Sequence, residues 1–202
     1  MKRSKKKKRA GFLKRQYAES WNYLKLSKDF VWIIILLFFI VALFAFIFPP
    51  PDFITQKILK MIEEILKKTE GMNSLELIRF IFLNNLQASS FGIVSGVFFG
   101  IYPIFSTLVN GYLIGFVSSL SVKEGGLLSL WALFPHGIFE LPAVWISLGM
   151  GLKLGTFIFK KKKIESFKNY FLNSLRIFIF IVIPLLITAA IIEGVLIALL
   201  GN

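Results

Sequence analysis

The chain has 202 residues, 56% of them hydrophobic with 23 phenylalanines, and a formal charge of +13. Several apolar runs of bilayer length exclude an ordinary soluble domain and mark a polytopic, all-α membrane protein. Cysteine is absent, which excludes disulfides, thiolate catalysis and cysteine-ligated metal or iron–sulfur sites.

The positive charge clusters in the first 28 residues and again at Lys160–Lys163, a topology signal more than a nucleic-acid signal. Residues 1–29 read as a basic cytoplasmic arm, with the first ten disordered. Phe12, Tyr17, Trp21 and Tyr23 would lay the rest of the arm along lipid headgroups. Anionic lipid is the expected partner of this arm and of Lys160–Lys163. No nucleic-acid partner and no cofactor are expected.

Residues 30–202 read as one transmembrane domain. The first span, about 30–48, ends at three prolines; its length and that ending fit an uncleaved anchor better than a signal peptide. An amphipathic helix follows at about 52–70, with Ile54, Ile58, Met61, Ile62 and Ile65 on one face. Gly71 should end it and Ser74 should cap the next helix.

Residues 75–121 are too long for one span and divide into two, about 76–100 and 104–121, with Tyr102-Pro103 as the break. Ala88, Gly92, Gly96 and Gly100 recur every four residues in the first, with Asn84 one step earlier; Asn110, Gly111 and Gly115 serve the second. Small residues at this spacing let another helix approach closely, and the asparagines would hydrogen-bond between helices or touch a ligand. Residues 127–133 suit a short re-entrant helix. It leads into a fourth span, about 135–159, along which Ala143, Ser147, Gly151 and Gly155 make a small-residue face. The last span runs over about 173–200. Pro135 suits a helix start, while Pro142 and Pro184 should kink their spans.

Five spans with the N-terminus in the cytoplasm put both basic clusters on the cytoplasmic side and the C-terminus outside; four or six would misplace one cluster. The expected location is the cell membrane.

His136 and Glu140 stand one helical turn apart inside the fourth span, and Glu193 lies deep in the last. An isolated carboxylate in hydrocarbon takes up a proton or finds a partner. Together with Asn84 and Asn110 these residues form a candidate intramembrane polar site. It is open to three readings: a structural knot that fixes helix register, a proton or ion relay, or a divalent-metal site. Enzyme chemistry is not expected. No span carries an aspartate pair, one histidine offers one base, and His136-x-x-x-Glu140 is not the His-Glu-x-x-His order of zinc proteases.

The segment from Pro135-His136-Gly137-Ile138-Phe139-Glu140 to Leu141-Pro142-Ala143, with Gly151 and Gly155, is the most distinctive in the chain. Together with Asn84-Asn85, the Gly92-Gly96-Gly100 run, Asn110-Gly111, Gly115 and Ala189-Ala190-Ile191-Ile192-Glu193, it resembles the stage II sporulation protein M family of integral membrane proteins. The resemblance covers about residues 75–200. It implies a multi-pass component of a membrane complex without a catalytic role, associating with other membrane proteins or with itself. In spore-forming bacteria the founding member belongs to the engulfment machinery, beside the cell-wall hydrolases called stage II sporulation proteins D and P. The Lys/Ile/Phe-rich composition suits a non-sporulating microbe, archaea included, in which engulfment is not the task. A small transporter or ion pathway through His136, Glu140 and Glu193 is the alternative.

Overall fold

The computed structural model describes residues 2–48, 50–132 and 134–200, with side chains for these except 2–10, 132, 134–139, 194 and 196–200. Among the described residues all regular elements are helical: α1 (Lys2–Leu26), α2 (Lys28–Ile47), α3 (Asp52–Thr69), α4 (Ser74–Val94), α5 (Ile101–Gly125), α6 (Phe134–Gly155), α7 (Lys163–Ile177) and α8 (Ile183–Leu200), with short 3-10 and π segments between or after them. An apolar solvent cannot bond free amides, so a chain this hydrophobic pairs its backbone groups within each helix. Five stretches are long and apolar enough to cross a membrane: Lys28–Ile47, Ser74–Val97, Ile101–Gly125, Glu140–Phe159 and Lys163–Glu193.

Helix α6 is the centre. It packs against α2, α4, α5, α7 and α8, while α2 also pairs with α5 and α4 with α8. Small residues make this possible. A Cβ on Gly149 would meet Val31 of α2 at 2.8 Å, and one on Gly96, in the 3-10 turn after α4, would stand 2.6 Å from the Cα of Gly151. One on Gly155 would press on Gly100, at the turn between α4 and α5. The α2–α5 pair is built the same way, with Gly111 against the carbonyl of Phe38 and Gly115 against the backbone of Ala42. In a bilayer such close approach replaces the hydrophobic effect as the source of helix association.

Several boundaries differ from the sequence reading. The arm is helical over Lys2–Leu26, residues 2–10 of the segment expected to be disordered included. The break between the second and third spans falls at Phe98–Gly100, not Tyr102-Pro103. Gly100 takes φ +71° and Phe99 φ +57° there, and Pro103 sits in the first turn of α5, where a missing N–H costs nothing. Asn73, not Ser74, caps α4. Its side chain accepts from the Leu75 and Glu76 amides at 3.0 and 3.1 Å, and the Glu76 carboxylate accepts from its backbone N–H at 2.9 Å, a capping box. The connection between the fourth and last spans is short, because α7 begins at Lys163, about ten residues before the expected start of the last span. α7 continues through a π segment, Phe178–Val182, into α8. That wider turn precedes Pro184, whose nitrogen could not have bonded to the carbonyl of Phe180. The helix expected at 127–133 is a 3-10 helix over Leu127–Ala132 with Leu127 and Leu128 exposed, packed beside α5.

The α1–α2 junction, the α4–α5 turn and the α6–α7 connection gather at one end, called here the basic end. Ser27 meets Lys153 there and Gly100 meets Gly155. Helix α3 connects α2 to α4 at the opposite end. Ile58 is its one buried residue, and it packs closely on no other described helix.

Candidate functional site

Helices α4, α6 and α8 close on one another around a seam that carries the polar residues of the membrane region. The buried stripe of α4 and the 3-10 turn after it is Ile81, Asn85, Ser89, Gly92, Ser95 and Gly96. Gly92 faces Leu148 of α6 and Gly96 faces Gly151, so both helices run the same way. Helix α8 runs against them and buries Leu186, Ala189 and Ala190. Ile93, Ala143, Met150, Ile177, Ile181, Val182 and Leu186 form the apolar core of the seam, toward the basic end from the glutamates.

At about 1.5 Å per residue, Glu140 stands roughly 4.5 Å beyond Ala143 and Glu193 roughly 10 Å beyond Leu186, both toward the end opposite the basic one. The two carboxylates therefore lie on packed helices, both on the far side of that core from the basic end. Each side chain is partly exposed, with its Oε2 buried. His136 lies on α6 one turn before Glu140. Its side chain is outside the described residues, as are those of Pro135 and Gly137–Phe139. Among the described residues no three histidine, aspartate or glutamate side chains converge as metal ligands. Pro142 sits inside α6 without ending it.

The two asparagines expected at the site are elsewhere. Asn84 is exposed, and its neighbour Asn85 enters the seam instead. The four-residue ladder drifts about 40° around a helix with each step. Followed backward from Gly96, it has turned away from α6 by Ala88 and Asn84, both exposed. The steps that stay in the seam pass through Ser89 and Asn85. Asn110 is also exposed, and its amide donates to the Ser106 carbonyl at 2.7 Å and hydroxyl at 3.2 Å in its own helix.

A second polar cluster, at the basic end, escaped the sequence reading. The Lys153 ammonium donates to the Ser27 hydroxyl at 2.7 Å and stands 3.9 Å from the centroid of the Tyr23 ring. The Ser27 hydroxyl donates in turn to the Tyr23 carbonyl at 2.6 Å. Burial, and then Tyr170, push the Tyr23 phenol well above the usual tyrosine range. Nearby, Arg176 of α7 pairs with Glu19 of α1 at 3.2 Å. The available signal was a lone lysine between Leu152 and Leu154, seven residues before the lysine run. Together these contacts tie α1 across the ends of α6 and α7.

The sequence pattern described as stage II sporulation protein M matches residues 33–196. The match includes α3 and three-quarters of α2, beyond the 75–200 expected, and leaves out α1. The chain is also similar to an uncharacterised protein of Methanocaldococcus jannaschii, 29% identical over 177 residues, which are 85% of this chain and 78% of that protein. No solved structure matches the chain.

Proposed function

This chain belongs to the stage II sporulation protein M family of membrane proteins, and from that premise we propose that it is a non-enzymatic scaffold for other membrane components. The carrying observation is the state of α6. Gly149, Gly151 and Gly155 put its backbone against α2, α4 and the α4–α5 turn, which makes a fixed centre. Two helices are left to meet partners, one at each end. Helix α1 exposes Phe12, Tyr17 and Trp21, and α3 exposes Phe53, Leu59 and Leu66. The proposed orientation places α1 and Lys160–Lys163 in the cytoplasm, with α3 and the C-terminus outside, as the loop charges favour.

A second reading, a proton or ion pathway, draws on Glu140 and Glu193, two carboxylates on the packed helices α6 and α8 that each bury an oxygen. Two substitutions separate the readings, with abundance and complex size followed on native gels and ion flux in proteoliposomes. A scaffold loses abundance and assembly on Gly96→Leu and is little changed by Glu140→Gln. A pathway keeps its abundance on Glu140→Gln and loses flux.

A further inference from the structure

The surface beneath α1 is hollowed twice. One hollow, of about 460 Å³, is lined by Trp21, Lys25 and Lys28, by Trp32 of α2, and by Pro142 and Trp145 of α6 among others. The other, of about 450 Å³, reaches from Tyr17 of α1 to Pro184, Leu185 and Thr188 of α8. Trp21, Leu24 and Ile146 line both, so the two are halves of one groove. Helix α6 is its floor, α2 and α8 are its walls, and α1 roofs it at the basic end. Lys25 and Lys28 are exposed, and among the described residues neither hollow is lined by an acidic one.

We infer that this groove is a binding site for one anionic two-chain phospholipid from the leaflet at the basic end. One acyl chain lies in each hollow, to either side of Ile146 and Trp21, and the phosphate rests at the mouth beside Lys25 and Lys28. The observations select this occupant in three ways. The lining away from the mouth is apolar, as acyl chains require, and each hollow falls within the ~300–1,000 Å³ range of ligand pockets. Trp21 and Trp32 stand where amphipathic rings mark the headgroup level. Among the described residues the ionised side chains on the lining are the two lysines, which attract an anionic headgroup and give a zwitterionic one less. A helix of a second protein fits less well, since a cylinder of about 10 Å diameter would have to displace Trp21, Leu24 and Ile146, which line both hollows. The site is independent of the scaffold reading and is more specific than general attraction of the arm to charged lipid.

The chain's four tryptophans provide the probe. Three of them, Trp21, Trp32 and Trp145, line the groove, so Trp131→Phe leaves only groove fluorescence. The full-length Trp131→Phe protein in detergent micelles is titrated with phosphatidylglycerol or phosphatidylcholine brominated along the chains. Phosphatidylglycerol should half-quench at a mole fraction on the order of 25-fold lower, about fivefold for each lysine near the phosphate. Lys25→Gln/Lys28→Gln, at exposed positions, should bring the two lipids to within about twofold. Glutamine at all four of Lys160–Lys163 should leave the preference intact. Equal quenching by both lipids in the parent protein would overturn the proposal. So would a preference that survives the Lys25/Lys28 change, or one lost with Lys160–Lys163. Quenching that weakens as protein is concentrated at fixed lipid-to-detergent ratio would assign the groove to a second copy and overturn it as well.

Discussion

Gly96 and Gly151 touch backbone to backbone: a Cβ on the first would lie 2.6 Å from the Cα of the second. Neither backbone can yield without moving a whole helix. A methyl at this contact should therefore act as overpacking, and Gly96→Ala should lower stability by about 1–3 kcal/mol. Gly11, also in a helix, has nothing within 4 Å of its Cβ position. Gly11→Ala should be neutral or slightly stabilising, by up to about 1 kcal/mol, through helix propensity. Unfolding in mixed micelles of rising SDS content compares the two. Equal effects would mean the α4–α6 contact carries no weight.

The Lys153–Ser27 bond is charge-assisted, and such bonds contribute about 1.5–3 kcal/mol. Ser27→Ala should lose roughly that much, and Tyr23→Leu about 0.5–2 kcal/mol from the lost ring face. With Lys153→Met as background, both losses should shrink, because the ammonium they serve is gone. The same unfolding measurement in a double-mutant cycle reports the coupling. Strict additivity would show that the three residues do not act together.

Glu140 and Glu193 lie on α6 and α8, which pack together, and each buries its Oε2. If their carboxyl groups share a contact, Glu140→Gln and Glu193→Gln should couple by about 0.5–3 kcal/mol in stability. Glutamine keeps the size and a polar end at each site, so each single change should cost less than the corresponding alanine. A coupling energy of zero would separate the two glutamates, leaving Glu140 to act locally on α6.

Orientation can be read by labelling, since the chain has no cysteine of its own. Cysteine placed at Lys162, between α6 and α7, should react with a membrane-impermeant maleimide only after the cells are opened. Cysteine placed at Lys68, on the exposed side of α3, should react in intact cells. The reverse pattern would turn the protein over in the membrane and move α1 to the outside.

What the sequence determined by itself was the number of spans and the stretch of chain each occupies. Hydropathy, the proline and glycine breaks and the basic clusters are local properties, and they suffice to count five spans and place the amphipathic α3. They also marked Gly92, Gly96, Gly100, Gly151 and Gly155 as contact residues, because a missing side chain inside a span has few other uses. Rotation about each helix axis and the choice of neighbour were decided only by the tertiary structure. Asn84 and Asn85 differ by about 100° around α4, and hydropathy alone does not say which one enters the seam. Lys153 reads as a defect in its span until Ser27, 126 residues away, supplies its acceptor. The arm shows only charge and aromatic rings until Glu19 finds Arg176 and Trp21 roofs the groove on α6. The physical reason is that the bilayer ranks residues by depth alone. Azimuth is set by which backbones can come close, and that depends on small residues meeting across helices far apart in the chain.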